Sequence, residues 1–289
     1  MTRNLRIALC QASSDLARED YDPRPANVSR AITFMRRAAK EKAQLALFGE
    51  VYLDGYRSDW FFHKYSTKLD PPDSCVNELL KACKELDLYV AMGVCRRGNI
   101  MPGNLFNTAM LLGPQGLIGW YDKVHLGNFA LPDGRLATEA IYWDVGHEYR
   151  VFDLPWCRVG LQICRDVRYP EASRTLTLMG AEIVINLSAA VEVRADSWEY
   201  FTRTRANENQ VWFAMTSVVG PQLDFQLFGG SRIVGPTGQV VARAKDNEED
   251  LVIHDVDLDE IAKVRSLSHV LDRRVPRAYR IITAEDRGG

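Results

Sequence analysis

The segment VGLQICRDVRYPE, residues 159–171, contains the pattern that decides the fold class. Residues 156–163 predict a strand, and Cys164 follows that strand directly. A short arginine-containing turn comes next, and Pro170 is typical of the first turn of a helix. A strand that leads through a turn into a helix is the repeating unit of α/β proteins, which gather their reactive groups at strand ends.

The alternation of short apolar runs and longer amphipathic stretches extends in both directions from this segment. N-terminal to it, strands are predicted at 5–10, 45–48, 89–94, 106–112 and 117–121, and helices at 27–42 and 76–86. C-terminal to it, helices are predicted at 171–179, 198–209 and 258–264, and strands at 182–187, 211–218, 228–234, 239–244 and 251–256. Turns at 113–116 and 235–238 join neighbouring strands into hairpins, so the sheet is mixed. We expect one α/β domain over residues 1–289, with an irregular tail at 266–289.

The composition excludes several classes of protein. The 289 residues are 46% hydrophobic and 26% charged, which argues against disorder and coiled coils. Because 36 basic residues balance 38 acidic ones, the net charge is only −2, and a dedicated nucleic-acid binder is not expected. No apolar run reaches the ~18 residues of a membrane span, and the N-terminus does not resemble a signal peptide. The sequence therefore predicts a soluble, cytoplasmic protein that contacts neither nucleic acid nor membrane.

The cysteines and histidines do not form a metal-binding pattern. The chain has six cysteines and five histidines, without a Cys-x-x-Cys pair or a histidine pair at helical spacing. A zinc site needs closely spaced pairs of such ligands. We expect no metal and no disulfide framework.

Three segments place a reactive side chain directly after an apolar strand. Glu50 ends LALFGE at 45–50, Lys123 lies in DKVHL at 122–126, and Cys164 follows the strand of the opening segment. A thiol at a strand-to-helix turn receives a backbone dipole and nearby cations, which favour the thiolate. A carboxylate can deprotonate a thiol, and a lysine can polarise the carbonyl that the sulfur attacks. Each residue taken alone also has an ordinary interpretation, as a core cysteine, a loop carboxylate or a solvated lysine.

These three segments resemble the signatures of the nitrilase superfamily, the carbon–nitrogen hydrolases. The family typically has CYDxRFPE around its nucleophile, where this chain has CRDVRYPE at 164–171. The lysine segment resembles the family's (R/D)KxHL. Further matches follow in the family order, at NLS 186–188, RANEN 205–209, GSRIVGPTG 230–238 and DVDL 255–258. The resemblance spans about residues 5–280.

The resemblance implies a role for each reactive residue. Glu50 would be the general base, Lys123 would stabilise the tetrahedral oxyanion, and Cys164 would be the nucleophile. The backbone N–H of Arg165 would complete the oxyanion hole. A second glutamate is usual a little after the lysine, and Glu139 lies at the matching distance, where it would orient either the lysine or the substrate amide.

The resemblance also implies a fold, an activity and partners. The fold would be a four-layer α-β-β-α sandwich with mixed sheets, and the chain would form a homodimer or a higher homo-oligomer. The activity would be hydrolysis of a non-peptide C–N bond, first of a small amide, with ureido acids and then nitriles as alternatives, and without a cofactor. An inactive member that serves as a binding or scaffold subunit is the alternative from another class.

The nucleophile turn departs from the family pattern in its arginines. Arg165 replaces a common aromatic residue, and either Arg165 or Arg168 could bind a substrate carboxylate. The other interpretation is that these arginines pair with Asp166 or Glu171. Asp166 is expected to steer the turn through hydrogen bonds, and His125 to support the lysine loop.

Overall fold

Two six-stranded sheets form the centre of the protein in the computed structural model, which describes residues 3–57, 61–99, 101, 103–130, 134, 136–191, 195–223 and 225–284. The first sheet has the order β16-β1-β2-β3-β4-β5. Its strands are β1 (Asn4–Gln11), β2 (Leu45–Leu47), β3 (Tyr89–Arg97), β4 (Leu105–Gly113), β5 (Gly116–Asp122) and β16 (Asp250–Asp257). Strands β1, β2 and β3 run parallel, whereas β4, β5 and β16 pair antiparallel with their neighbours.

The second sheet repeats this arrangement, in the order β15-β14-β11-β10-β9-β8. Its strands are β8 (Val151–Asp153), β9 (Arg158–Ile163), β10 (Ile183–Ser188), β11 (Trp212–Ser217), β14 (Arg232–Val234) and β15 (Val240–Arg243). Strands β9, β10 and β11 are parallel, and the outer strands are antiparallel. Two short hairpins complete the strands, β6 (Asn128–Ala130) with β7 (Leu136–Thr138) and β12 (Val219–Gln222) with β13 (Phe225–Phe228).

The described part of the chain contains the α-helices α1 (Arg24–Lys40), α2 (Phe61–Tyr65), α3 (Ser74–Leu86), α4 (Pro170–Leu178), α5 (Ala195–Asn209) and α6 (Asp259–Leu267). Helices α1 and α3 cover the outer face of the first sheet, whereas α2 and α6 pack into other clusters. Successive side chains of a strand point to opposite faces of the sheet, so alternate residues pack into different hydrophobic cores. In β1, Ala8 and Cys10 pack with α1 and α3, whereas Ile7 and Leu9 pack between the two sheets. Helices α4 and α5 cover the second sheet, so the predicted four-layer α-β-β-α sandwich is confirmed.

The structure differs from the sequence prediction in the glycine-rich segment at 228–234. One strand was expected there, but β13 ends at Phe228 and β14 begins at Arg232. Gly229 and Gly230 have φ values of 78° and 68°, a region that favours glycine, and they turn the chain between the two strands. A Cβ on Gly229 would lie 2.3 Å from the side-chain amide of Gln11.

Further elements were not predicted. Among them are strand β8, the β6–β7 and β12–β13 hairpins, helix α2 and a 3-10 helix, Pro276–Thr283, within the tail that was expected to be irregular. Residues 285–289 of that tail and residues 131–133 and 135 before Glu139 lie outside the described residues. Within the described part of the chain, no helix is both long enough and apolar enough to cross a bilayer.

Gly93 of β3 lies against the backbone that carries Glu50. Its N–H donates to Gly49 O at 3.0 Å, and its carbonyl accepts the N–H of Leu53 at 3.2 Å. A Cβ at this position would lie 2.3 Å from the nitrogen of Val51 and 2.6 Å from the Cα of Glu50. Only glycine therefore allows this approach.

We expect Gly93→Ala to destabilise the protein by about 3 kcal/mol, the upper end of overpacking costs, because rigid backbone atoms would have to move. Chemical denaturation measures this loss. Gly98→Ala is the control, because its nearest contact is a side-chain atom, Asn104 Cβ at 3.1 Å. Equal stability of the two variants would contradict the conclusion that position 93 requires glycine.

Candidate active site

Glu50 lies where the two sheets meet. It follows β2 of the first sheet by three residues, and its N–H donates to Ser188 O, at the end of β10 in the second sheet, at 3.0 Å. Its side chain is completely buried. Oε1 accepts hydrogen bonds from Asn107 at 2.8 Å and from Lys123 at 2.7 Å, and Oε2 accepts one from the N–H of Ala189 at 3.0 Å. The carboxylate is therefore held from both sheets.

Lys123 follows β5 and turns its side chain into the same buried space. Its backbone N–H donates to Asn107 O at 2.8 Å, which continues the pairing with β4. The side chain is only 1% exposed. Its Nζ donates to Glu50 Oε1 and lies 3.0 and 2.9 Å from the two carboxylate oxygens of Glu139. One ammonium group thus joins two carboxylates.

Glu139 begins a 3-10 helix, Glu139–Ile141, and is 2% exposed. Its Oε1 accepts a hydrogen bond from the hydroxyl of Tyr56 at 2.6 Å, and its Oε2 accepts one from the N–H of Gly127 at 2.5 Å. Its own N–H donates to Gly127 O at 2.9 Å. These contacts fix the carboxylate against Lys123.

Cys164 lies at the sharp turn between β9 and a 3-10 helix, Cys164–Arg168. Its φ of 42° is unusual for a residue with a side chain, and such backbone strain is often found at functional sites. The thiol lies close enough to Glu50, Lys123 and Glu139 that all three influence its pKa. The structure therefore brings together all four residues that the sequence singled out.

Asp166 connects the cysteine turn with the lysine loop. Its carboxylate accepts hydrogen bonds from the N–H of Ile163 at 2.9 Å, the hydroxyl of Tyr121 at 2.7 Å and the N–H of His125 at 3.1 Å. The ring of His125 lies 2.9 Å from the same carboxylate and stacks on Tyr169. Both residues support the geometry of the site, as the sequence predicted.

Arg168 lies against α5. Its guanidinium is 4.9 Å from the ring centre of Phe201, and its carbonyl accepts a hydrogen bond from Arg205 at 3.2 Å. The carbonyl of Val167 accepts a second hydrogen bond from Arg205 at 2.8 Å. These contacts attach the cysteine turn to the helix layer.

Burial and charge set the protonation of the cluster. Burial raises the pKa of Glu50, against the attraction of Lys123. Burial opposes the charge of Lys123, but Glu139 and Glu50 outweigh it and raise the pKa of the lysine. Burial, and then Glu50, raise the pKa of the Cys164 thiol well above its ordinary value.

The resting site therefore holds a neutral thiol beside a carboxylate. This corrects the sequence-based expectation that the turn and its cations would favour a thiolate: burial and two carboxylates outweigh one ammonium. A neutral thiol must lose its proton to attack a carbonyl carbon, and the buried Glu50 carboxyl beside it could accept that proton. The arrangement supplies a nucleophile, a base and a fixed positive charge for a developing oxyanion.

Sequence reasoning missed Asn107 and Tyr56. Asn107 lies in β4 and is completely buried in a strand that was interpreted as apolar core. A buried amide in an apolar strand needs a polar partner, and this signal could have identified it. Tyr56 follows Glu50 by six residues in a loop, and its contact with Glu139 spans 83 positions that no local pattern connects.

Neither the fold nor the site shows an arrangement for a metal. Among the residues that the structure describes, no group of three or more histidine, cysteine, aspartate or glutamate side chains could hold an ion. Lys123 occupies the position between the two buried carboxylates.

Known proteins are similar to this chain in both sequence and fold. The sequence profile described as carbon–nitrogen hydrolase matches residues 6–266. Omega-amidase NIT2 of Homo sapiens is 30% identical over 281 residues, which cover 96% of this chain and 98% of that protein.

Two solved structures extend the comparison. Saccharomyces cerevisiae Nit3, a member of branch 10 of the nitrilase superfamily, has a TM-score of 0.81 at 26% identity and covers 94% of this chain and 97% of its own. A mutant of the amidase from Nesterenkonia sp. AN1, with the acetamide moiety of fluoroacetamide covalently added at its active-site cysteine, has a TM-score of 0.80 at 22% identity, over 96% of both chains.

We expect iodoacetamide to label Cys164 before the other five cysteines, because Cys164 is half-buried and the others are buried. The labelling rate should rise with pH without a plateau near neutrality, because the thiolate forms only as pH approaches the raised pKa of the thiol. Peptide mapping after brief labelling at several pH values measures which cysteine reacts first and how its labelling rate depends on pH. Faster labelling of another cysteine, or a plateau near pH 6–7, would contradict this description of the site.

Proposed function

This chain belongs to the carbon–nitrogen hydrolase family, and we propose that it hydrolyses small primary amides to a carboxylic acid and ammonia. The observation that carries the proposal is the buried Lys123 ammonium bound to Glu50, beside the Cys164 thiol whose pKa Glu50 raises. A thiol, a base and a fixed cation in contact are what acyl transfer from an amide requires.

The reaction begins when Cys164 Sγ attacks the amide carbon and its proton passes to Glu50. The resulting oxyanion is stabilised by Lys123 Nζ and the backbone N–H of Arg165. The intermediate collapses, the C–N bond breaks, and Glu50 returns the proton to the departing nitrogen, which leaves as ammonia. A thioester remains on Cys164.

Hydrolysis of the thioester repeats these steps with water. Glu50 accepts a proton from the water molecule that attacks the thioester carbon, and the same two donors stabilise the second oxyanion. Collapse breaks the C–S bond, the acid leaves, and the sulfur recovers its proton from Glu50. The cycle uses no cofactor, because every proton is exchanged with one carboxylate.

An amide is favoured over a nitrile or a ureido acid. Similar proteins are named omega-amidase and amidase, which supports an amide substrate. Arg165 and Asp166 follow the cysteine, where true nitrilases usually carry Trp-Glu. Hydrolysis of ureido acids stays the alternative, since a substrate carboxylate could still be bound by Arg165. An inactive scaffold role is disfavoured, because the whole charged cluster is intact.

We expect wild-type protein to release ammonia from small amides faster than from ureido acids or nitriles of the same acyl group. Cys164→Ala should abolish turnover, and Lys123→Met should lower kcat by about 10²–10³-fold through loss of an oxyanion donor. Cys75→Ala, which removes a buried thiol of α3, is the control and should keep turnover. Retained activity in Cys164→Ala would mean that another residue is the nucleophile, and inactivity of wild type on the whole panel would support the scaffold alternative.

We also propose that the chain forms a homodimer through α4 and α5. Leu178 and Met179 at the end of α4 are 48% and 38% exposed, and Tyr200 of α5 is 71% exposed. Apolar side chains exposed on neighbouring helices are typical of an interface, and a twofold axis lets the same face meet its copy. A second copy of this chain is the proposed occupant.

Light scattering should give about twice the chain mass of 32.7 kDa. Tyr200→Glu should shift the mass toward the monomer, because a charge would be buried in the interface. Ile118→Glu, at a 37% exposed position of β5, is the control and should leave the mass unchanged. A monomeric wild type, or equal effects of the two variants, would contradict the proposal.

A further inference from the structure

The two buried carboxylates differ in how many acceptor positions the protein fills. A carboxylate offers about four such positions. On Glu139 four contacts are made by protein donors: Tyr56 and Lys123 on Oε1, Gly127 and Lys123 on Oε2. On Glu50 the described residues make three, from Lys123, Asn107 and Ala189.

The fourth hydrogen-bond acceptor position of Glu50 takes part in the proposed reaction. Those three donors leave it open, so it can receive the proton that the Cys164 thiol loses in the proposed reaction. On Glu139, donors from described residues fill all four acceptor positions, so none is left for a reacting group. A substrate amide N–H would be a fifth donor, and a protonated Glu139 would direct its own O–H at a neighbour that is itself a donor.

We infer that Tyr56 is a positioning residue, whose hydroxyl completes the donor set of Glu139 and so makes this glutamate an acceptor-only anchor for Lys123. This inference rests on the proposed function, and it decides between the two roles that remained open for Glu139. Glu139 holds the lysine and does not hold the substrate amide. All proton transfers then pass through Glu50.

Tyr56 is itself held from two sides, so its hydroxyl has a defined position. Its backbone N–H donates to Gln222 Oε1 at 2.8 Å, and its ring contacts that of Trp143 edge-on, with 6.0 Å between ring centres. It belongs to the loop that also carries Glu50. One loop therefore positions both carboxylates around Lys123.

The test compares reactions that need the Lys123 donor with one that does not. Amide hydrolysis and acylation of Cys164 by p-nitrophenyl acetate both pass through an oxyanion, whereas methyl methanethiosulfonate modifies the thiol without one. Tyr56→Phe removes only the hydroxyl. Because a hydrogen bond to a charged group is lost, kcat for amides and the p-nitrophenol burst rate should fall about 10–100-fold, with KM changed less than about threefold.

Modification by methyl methanethiosulfonate should stay within about twofold of wild type. Tyr52→Phe is the matched control, since the buried Tyr52 hydroxyl contacts only the backbone carbonyl of Asn27, at 3.4 Å, among the described residues. It should leave all three reactions unchanged. In a Glu139→Gln background, Tyr56→Phe should have little further effect, because the anchor is already lost.

Three results would overturn the inference: equal losses in all three reactions, full activity of Tyr56→Phe, or additive effects with Glu139→Gln. A rise in KM with kcat unchanged would instead assign Tyr56 and Glu139 to the substrate. The burst with p-nitrophenyl acetate does not depend on the natural substrate. A wild type that hydrolyses no amide would therefore contradict the proposed function and still leave the role of Tyr56 measurable.

Discussion

The buried ammonium of Lys123 between the carboxylates of Glu50 and Glu139 is the interaction on which the site depends. Moving each of these ions out of water costs several kcal/mol, and only close pairing and further hydrogen bonds offset that cost. Both glutamates lie within hydrogen-bonding distance of the lysine, and together they raise its pKa against the effect of burial. Burial, and then Glu50, raise the pKa of the neighbouring Cys164 thiol.

The framework places these charges by bringing strand ends of both sheets together. Glu50 and Lys123 follow strands of the first sheet, and Cys164 follows a strand of the second. The backbone of Glu50 bonds across to Ser188, and Asp166 bonds the cysteine turn to the lysine loop. The distance between nucleophile, base and cation is therefore set by main-chain contacts between layers, and the reacting groups need little rearrangement.

Most strands and the positions of the reactive residues could be predicted from the sequence, because apolar runs indicate strands and the reactive residues follow those runs directly. The segments that carry Glu50, Lys123 and Cys164 were assigned correctly to strand ends, whereas the four-layer sandwich followed from the family resemblance and not from the pattern. The break at Gly229 and Gly230 was missed, although a Gly-Gly pair is a turn signal, because the apolar residues on both sides were joined into one strand. The contacts of Asn107 and Tyr56 were missed because they join distant segments. The protonation of Cys164 was misjudged, since burial is a property of the folded chain.

The close approach of backbone around Glu50 also limits how this pocket can change in evolution or in the laboratory. A side chain on Gly93 would meet the main chain of Val51, and one on Gly49 would meet the main chain of Val218 and Ser188. The atoms packed closest to Gly49 and Gly93, on either side of Glu50, are thus mainly main-chain atoms, whose chemistry a point mutation does not change. Libraries that leave Gly49 and Gly93 unchanged will therefore retain more folded variants than libraries that diversify these two positions.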